Sequence, residues 1–387
     1  MLRHLVLTFL ICCTLGASAA ETAGSKPSGL SAGPNGTVLK DGKTYRAIGV
    51  NYFDCFVRTL SEGHDTSYDA GFATLAAKGI PFVRFCATGF WPKDMQLYQT
   101  NRVDYFHRLD GVVKSAEKHG IGLVPSLFWY YSCIPDLVGE SMDQWANPKS
   151  KTQAWMREYV REVITRYCNS SSIWAWEFGN EYSLQADLPN AREHRPPIHS
   201  TLGTASTRGE RDDVTSSMVR AAFTAFADEV RKYDRHRLIL TGDSFPRPSA
   251  WHQERDGTWT KDTLEQFAES LTKANPDPIN GISLHLYENE DARLATAVEV
   301  SRKLNKPIFI GEFGSQGESA EQAANCRRLL KSILDLEIPL AALWVFDYAS
   351  QKEFNVTSNN LRSNQLEIIA GANQNLRNRP LIKSKSN

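Results

Sequence analysis

Cysteine is scarce in this 387-residue sequence, and an excess of charge of either sign is absent. Seven cysteines are spread thinly along the chain without a Cys-x-x-Cys pair, which excludes a disulfide framework and a zinc site of the usual spacing. Lys plus Arg and Asp plus Glu both number 44, so no net field favours nucleic acid or an anionic membrane as a partner. A neutral partner fits this chain better.

Signatures of several other folds are also missing. No Gly-x-Gly-x-x-Gly follows the first predicted strand, which removes the best support for a doubly wound dinucleotide-binding sheet. No internal repeat or low-complexity block is evident. Hydrophobic residues make up 41% of the chain and charged residues 23%, an ordinary globular balance with ample material for a core.

The first twenty residues have the layout of a secretory signal peptide. Arg3 and His4 precede an apolar run from Leu5 to Leu15, and small residues follow up to Ala20. Such a run is too short to span a membrane as a stable helix. We therefore expect residues 1–20 to be removed, with the mature protein secreted or periplasmic. Residues 21–36 are rich in Gly, Ser and Pro and are expected to be a flexible lead-in.

From residue 37 to 373 the pattern predicts an α/β fold, a single (β/α)8 barrel. A hairpin about Asp41-Gly42 comes first and is placed to plug the bottom of the barrel. Eight short apolar runs then alternate with amphipathic helical stretches, the order typical of this barrel. A polar C-terminal tail, 374–387, is expected to follow. The predicted barrel strands are Ala47–Tyr52, Pro81–Cys86, Ile121–Phe128, Ile173–Phe178, Arg237–Thr241, Ile282–Leu286, Pro307–Gly311 and Ala341–Phe346.

Cys55 and Cys86 follow the first two of these strands, so a disulfide between them and a pair of buried thiols are both open. The long polar segment 182–214 leaves the C-terminal end of the fourth strand. Active sites of such barrels lie at that end, so we expect the segment to form a wall of the substrate cleft.

Two acids at strand ends carry the predicted chemistry. Asn180-Glu181 follows the fourth predicted strand, and Gly311-Glu312-Phe-Gly follows the seventh. Strands four and seven face one another across the mouth of a closed barrel, so the carboxyls of Glu181 and Glu312 can converge on one sugar ring. Retaining hydrolysis of a glycosidic bond needs two carboxyls about 5 Å apart. Glu181 is the candidate acid/base and Glu312 the candidate nucleophile.

With these motifs the chain resembles the glycoside hydrolases of clan A, and most of all family 5, from Thr37 to about Ala370. The resemblance implies that Arg84 on strand two keeps the nucleophile ionised and that Asn180 binds the sugar 2-hydroxyl. It also implies supporting roles for His285 and Tyr287, a His-x-Tyr pair whose tyrosine hydrogen-bonds the nucleophile. Trp344 on strand eight matches the tryptophan platform under the sugar.

The sequence departs from the family pattern just beyond strand three. Family 5 enzymes usually carry a histidine there, whereas this chain has aromatic residues only, in Leu127-Phe-Trp-Tyr-Tyr131. Aromatic faces stack on the C–H surfaces of sugars. The candidates for such stacking at predicted strand exits are Tyr52, Phe90, Trp91, Trp129, Tyr130 and Tyr131.

Together these features predict a retaining β-glycoside hydrolase that cleaves a β-linked polysaccharide or oligosaccharide, β-1,4-glucan or β-mannan, by double displacement. The expected partner is the carbohydrate substrate, with no nucleic acid, no membrane once the signal is removed, and neither a metal nor an organic cofactor. Two alternatives stay open: a transglycosylase that uses the same two acids, and a non-catalytic carbohydrate-binding barrel.

Overall fold

The structure is a computed structural model that describes residues 29–61, 64–287, 290–316 and 319–378. The predicted signal peptide lies outside these residues. Eight parallel strands form a nearly closed barrel: β4 (Ala47–Asn51), β5 (Phe82–Cys86), β6 (Gly122–Phe128), β7 (Ala175–Gly179), β8 (Leu238–Leu240), β9 (Ile282–Leu286), β10 (Ile308–Phe313) and β11 (Leu340–Leu343). Their spatial order is β8-β7-β6-β5-β4-β11-β10-β9. All eight predicted strands, and the (β/α)8 barrel, are confirmed.

The helices surround the strands, and polar residues fix where several of them begin. The side chains of Asn101, Ser150, Thr215 and Thr263 each accept a hydrogen bond from a backbone N–H in the first turn, which satisfies a donor that the helix itself leaves unpaired. The helices are α1 (Tyr68–Ala77), α2 (Gln96–Thr100), α3 (Arg102–His119), α4 (Cys133–Val138), α5 (Lys151–Tyr167), α6 (Ser216–Arg231), α7 (Ala250–Asp256), α8 (Leu264–Ala274), α9 (Asp291–Leu304), α10 (Ser319–Asp335) and α11 (Asn364–Asn378).

Helix α11 continues to Asn378, so the first residues assigned to a polar tail belong to the barrel's last helix. Ala372 and Asn373 are buried, and the Asn373 side chain exchanges two hydrogen bonds with the backbone of Ile48 in β4. This contact anchors the helix to the barrel at residue 373, immediately before the residues assigned to the tail. Among the helices of the described residues, none has the length and apolar character that crossing a membrane requires.

A small antiparallel sheet closes the bottom of the barrel. It consists of β1 (Leu30–Ala32), β2 (Val38–Lys40) and β3 (Lys43–Thr44). The predicted hairpin is present, but the lead-in prediction was wrong for β1, which pairs with β2. Leu30 and Val38 are buried against a layer of barrel residues, and the N–H of Leu30 donates to the carbonyl of Trp174 at 2.8 Å. Apolar burial therefore orders this segment despite its turn-rich composition.

The five cysteines of the described residues are all free, including Cys55 and Cys86. Both of these side chains are fully buried. The alternative of buried thiols is therefore the right one, and the barrel owes its stability to packing.

Candidate active site

A cleft of about 750 Å³ opens at the C-terminal ends of the barrel strands. Five of the seven predicted site residues line it: Asn180, Glu181, Tyr287, Glu312 and Trp344. The other two, Arg84 and His285, are buried beneath its floor. The structure thus brings all seven predicted residues together in one place.

Glu312 lies near the end of β10, where the register with the neighbouring strands shifts. Its side chain is only 6% exposed and both carboxylate oxygens have partners. Arg84 Nη1 donates to Oε1 at 2.8 Å, and the Tyr287 hydroxyl donates to Oε2 at 2.5 Å. These charge-assisted bonds fix the plane of the carboxylate.

Arg84 is fully buried and organises the floor of the cleft. Its Nε donates to Glu177 Oε1 at 2.6 Å and its Nη2 donates to Asn180 Oδ1 at 2.9 Å. Asn51, which the sequence did not single out, accepts from Nη1 at 3.2 Å. Burial raises the pKa of Glu177 although Arg84 opposes the rise. Glu177 has the contacts of a structural acid that shares the guanidinium with Glu312.

Glu181 follows β7 and occupies the left-handed region, with φ 55°. A side-chain-bearing residue pays about 1 to 2 kcal/mol for this conformation. The turn brings the carboxyl to the cleft surface, where the side chain is 31% exposed. Burial of the carboxyl raises the pKa of Glu181, while the charges of Arg84 and Arg247 oppose the rise. A raised pKa is what a general acid needs at neutral pH.

His285 on β9 lies between the two acids. Its Nδ1 is 2.8 Å from Glu181 Oε1 and 3.6 Å from Glu312 Oε2. Burial, together with the charge of Arg84, lowers the pKa of His285 to about 4 despite the opposing effect of Glu312. The imidazole is therefore neutral near pH 7, when one ring nitrogen carries a proton.

One potential ligand atom from each of Glu181, His285 and Glu312 lies within 4.8 Å of the other two. A metal ion there would compete with the guanidinium of Arg84, which already neutralises Glu312 at 2.8 Å. One oxygen of the Glu181 carboxylate thus lies within 4.8 Å of one oxygen of the Glu312 carboxylate. Retaining glycosidases hold their two carboxyls about 5 Å apart, whereas inverting enzymes separate them further. Among the described residues this cluster is best matched to two-carboxylate chemistry.

Aromatic rings form the walls of the cleft. Trp344 is packed against Trp129, with ring centroids 5.9 Å apart and 28° between planes, and its Nε1 donates to Gln351 Oε1 at 2.6 Å. Trp129 occupies the segment where the family usually has a histidine, and Arg84 lies over its ring at 4.3 Å. The expected rings Phe90, Trp129, Tyr130 and Tyr131 line the cleft, together with Phe53, Tyr348 and Phe354.

Two of the six candidate rings, Tyr52 and Trp91, do not line the cleft. Tyr52 is fully buried, packed edge-on against Phe72 and Phe346. Its side chain points away from the barrel interior toward helix α1, whereas that of the preceding Asn51 faces Arg84 inside the barrel. Trp91 is not among the cleft-lining residues; its ring contacts Tyr130, which is.

The long segment 182–214 forms less of the cleft than expected. Only its first residues, Leu184 and Gln185, line the cleft. Later residues of the segment contact the outside of the aromatic wall: His199 contacts the Trp91 ring, and the Arg208 side chain, 6% exposed, pairs with Asp136 at 2.7 Å. The segment therefore supports the wall more than it forms it.

Comparison with known proteins agrees with this architecture. The family model described as "Cellulase (glycosyl hydrolase family 5)" matches residues 39–358. Mannan endo-1,4-beta-mannosidase F of Aspergillus fumigatus is 26% identical over 228 residues, covering 54% of this chain and 44% of the relative. Mannan endo-1,4-beta-mannosidase A of Hypocrea jecorina is 30% identical over 161 residues, covering 36% of each. The matches thus span less than half the length of these curated relatives.

Among solved structures, the family 5 mannosidase of Rhizomucor miehei has a TM-score of 0.66 at 12% identity, covering 92% of this chain and 99% of that one. The endo-1,4-beta-mannanase of the same organism has a TM-score of 0.64 at 16% identity, covering 91% and 100%. At these identities the likeness shows the fold alone.

A (β/α)8 barrel with two carboxylates at the ends of its fourth and seventh strands defines a class of glycoside-hydrolase folds. Within that class the match over residues 39–358 is decisive, and the chain belongs to glycosyl hydrolase family 5. The family number that the sequence motifs indicated is confirmed despite the missing histidine.

Proposed function

We propose that this protein is a retaining β-glycoside hydrolase that cleaves a β-1,4-linked hexose polymer, with mannan as the first candidate and glucan as the second. The observation that carries the proposal is the proximity of the Glu181 and Glu312 carboxylates, within 4.8 Å through one oxygen each. Mannan is placed first because the curated relatives named above carry mannanase activity in their names.

In the first step Glu312 attacks the anomeric carbon while Glu181 gives its proton to the departing glycosidic oxygen. The old C–O bond breaks and a glycosyl ester of Glu312 forms. Arg84 pairs with one oxygen of the attacking carboxylate and Tyr287 donates to the other, so both orient the nucleophile. The raised pKa of Glu181 keeps a proton available for the leaving group.

In the second step Glu181, now a carboxylate, removes a proton from water, and that water attacks the anomeric carbon. The ester bond to Glu312 breaks, so two inversions give net retention. Neutral His285 supports both forms of Glu181. When its Nδ1 carries the proton, the 2.8 Å contact occupies Glu181 Oε1 and leaves the other oxygen to exchange protons with the sugar.

The remaining predicted residues bind the sugar. Trp344 offers an indole face whose edge is held by Gln351, and stacking on C–H groups suits an aromatic platform. Asn180, whose Oδ1 accepts from Arg84, keeps its amide donors for a sugar hydroxyl. No organic cofactor or metal enters these steps.

Incubation with linear β-1,4-mannan and with β-1,4-glucan, followed by product sizing, tests the proposal. We expect shorter oligosaccharides whose new reducing ends are first formed as the β anomer, detected by NMR before mutarotation. The double variant Glu181→Gln/Glu312→Gln is the inactive control. Products longer than the substrate at high concentration would instead support a transglycosylase. Binding of both polymers without turnover would support a carbohydrate-binding barrel and contradict the proposal.

We also propose that the protein acts outside the cytoplasm, on the strength of the signal-like segment 1–20. N-terminal sequencing of active protein from an exporting host should give a start near Ala20 or Glu21. Active protein that keeps Met1 would contradict export through this segment.

A further inference from the structure

Glu181 has a backbone conformation that residues with a side chain rarely adopt. Its φ of 55° lies in the left-handed region, between the end of β7 and a 3-10 turn over Tyr182–Gln185. A conformation of this kind persists only where the surrounding contacts determine it. The neighbours that hold this turn therefore also set the direction of the Glu181 carboxyl.

Three successive residues after β8 bind three alternate residues of the β7 exit. The carbonyl of Thr241 accepts from the N–H of Gly179 at 3.1 Å, and the carbonyl of Gly242 accepts from the N–H of Glu181 at 3.1 Å. Asp243 continues the series with its side chain, whose Oδ1 accepts from the N–H of Ser183 at 3.2 Å.

Arg247 completes the contact at the far end of the turn. Its Nε donates to the carbonyl of Leu184 at 2.7 Å, and Leu184 lines the cleft. The segment from Thr241 to Arg247 therefore holds the Glu181 turn by hydrogen bonds to Glu181, Ser183 and Leu184. Asp243 is the one acidic residue in this segment.

Asp243 is a buried acid whose side chain has few hydrogen-bond partners. The residue is 2% exposed, and burial of a carboxylate is costly unless hydrogen bonds compensate for it. Its Oδ1 accepts from Ser183 and from Ser244, while Oδ2 has no partner among the described residues. The one side-chain oxygen of Asp243 that accepts hydrogen bonds thus contacts the Glu181 turn, through Ser183, and its own loop, through Ser244.

We propose that Asp243 is a positioning residue for the acid/base Glu181, acting through the N–H of Ser183 to hold the left-handed turn. The inference rests on the proposed function, since it assumes that Glu181 donates the proton. A misplaced acid penalises poor leaving groups, which need that proton, far more than activated aryl leaving groups, which depart without it.

The test is a series of aryl β-glycosides whose leaving groups differ in pKa, assayed as kcat/KM for Asp243→Ala. This parameter reports the step that forms the glycosyl-enzyme. We expect at least a tenfold loss for the poorest leaving group and less than a threefold loss for dinitrophenolate. Asp243→Asn keeps an acceptor oxygen for Ser183 and should restore most of the loss. Rates are normalised to active sites counted by trapping with an activated 2-fluoro glycoside.

Asp234→Ala is the matched control. Asp234 is also buried and also accepts from two backbone N–H groups, those of His236 and Arg237, but at the opposite end of β8. We expect it to lower stability and leave the dependence on the leaving group unchanged. If Asp243→Ala does not fold, Arg247→Lys keeps the positive charge that acts on Glu181 but loses the guanidinium contact with the Leu184 carbonyl, and it should show the same selective loss.

A uniform loss across leaving groups in the Asp243 variant, or the same selective loss in the Asp234 control, would overturn the positioning role. Glu181→Ala separates this outcome from failure of the proposed function. If Glu181→Ala is itself insensitive to the leaving group, Glu181 is not the acid and the proposed function fails with the inference. If Glu181→Ala is steeply sensitive and Asp243→Ala is not, only the inference fails.

Discussion

Among the individual residues of the site, Arg84 is a buried cation that two carboxylates share, those of Glu177 and Glu312. Arg84 faces Glu177 at 2.6 Å and Glu312 at 2.8 Å, and neither arginine nor Glu177 is exposed to solvent. Removing one member of such a group leaves an uncompensated buried charge, which costs far more than a surface pair. Glu177 therefore contributes to the site by sharing Arg84, although it does not line the cleft.

The roles of the two acids are separated by what each removal leaves behind. Glu312→Ala cannot form the covalent intermediate, so activity should fall for every leaving group. Azide that occupies the vacated volume should restore turnover with an α product, because one displacement has occurred. Glu181→Ala should still form the intermediate from an activated aryl glycoside, and azide should then give the β product. NMR of the two azides measures this, and exchanged outcomes would reverse the assignment.

The pH dependence of catalysis follows from the raised pKa of Glu181. The acid acts while protonated, so kcat/KM on a poor leaving group should fall as pH rises through that pKa, at a pH above the ordinary glutamate value of about 4.3. On a dinitrophenyl glycoside the same limb should be shallower, because the leaving group needs little protonation. Equal basic limbs on both substrates would show that another group controls the profile.

Trp344 should contribute through its ring face. Trp344→Ala is expected to lower transition-state stabilisation by about 1 to 3 kcal/mol, the amount of a lost aromatic platform. Trp344→Phe, which keeps a smaller ring but loses the bond to Gln351, should lose less. The measurement is kcat/KM on the best oligosaccharide, with folding checked by circular dichroism. A well-folded alanine variant with full activity would make Trp344 a packing residue only.

The sequence identified the site residues that a motif marks at or near the end of a strand. Arg84 and His285 lie within strands that short apolar runs already marked, and the family motifs point to both. Glu312 lies one residue past the predicted seventh strand, so its place followed from the Gly-Glu-Phe-Gly motif and not from the alternation of side chains, which the register shift between Ile310 and Glu312 interrupts. Asn51 and Asp243 were missed because no motif marks them. Asn51 donates to the Gly311 carbonyl at the register shift of β10, and the contact of Asp243 depends on the shape of the loop after β8. Neither feature leaves a local pattern in the sequence.

The strands were predictable from the sequence because each is a short apolar run between helical stretches. The paths of the loops were not predictable. The segment 182–214 shows the difference. Its position after β7 indicated a cleft wall, but whether a loop lines a cleft or packs behind it depends on long-range contacts such as the Arg208–Asp136 pair. The same limitation applies to β1, whose order comes from packing of Leu30 against distant barrel strands.

The contact between the loops after β7 and β8 requires glycine at position 242. Gly242 has φ +74°, and a Cβ there would overlap the carbonyl oxygen of Gly179. Gly257 has a similar φ of +62° but open space around the Cβ position. We expect Gly257→Ala to cost about 1 to 2 kcal/mol for the backbone conformation alone, and Gly242→Ala to cost about 1 to 3 kcal/mol more through overpacking. Urea unfolding measures both, and equal losses would argue against the close contact.

The two ends of the barrel differ in what they contribute to the protein: one carries the cleft and the other carries the small sheet. The cleft lies at the C-terminal ends of the strands, and the small sheet covers the opposite end. There Leu30 and Val38 pack with Phe82, Trp174 and Phe309, and Lys40 lies over the Trp174 ring at 5.1 Å. The sheet contributes no residue to the cleft, so its contribution is to stability.

Truncation from the N-terminus tests this division. A chain that starts at residue 21, as signal removal would leave it, and one that starts at residue 29 both retain β1, so they should unfold at the same urea concentration. A chain that starts at residue 34 loses β1 and the buried Leu30 side chain. Burial of a leucine is worth about 1.5 to 3 kcal/mol, and the free energy of unfolding should fall by at least that amount.

The activity of the shortest chain, measured per folded molecule well below its unfolding transition, should equal that of the longest. Distance from the cleft is the reason, because β1 pairs with β2 and packs on the bottom layer of the barrel. Equal unfolding free energies for the three chains would mean that the sheet does not stabilise the barrel. A lower activity per folded molecule in the shortest chain would mean that the bottom of the barrel is coupled to the geometry of Glu181 and Glu312.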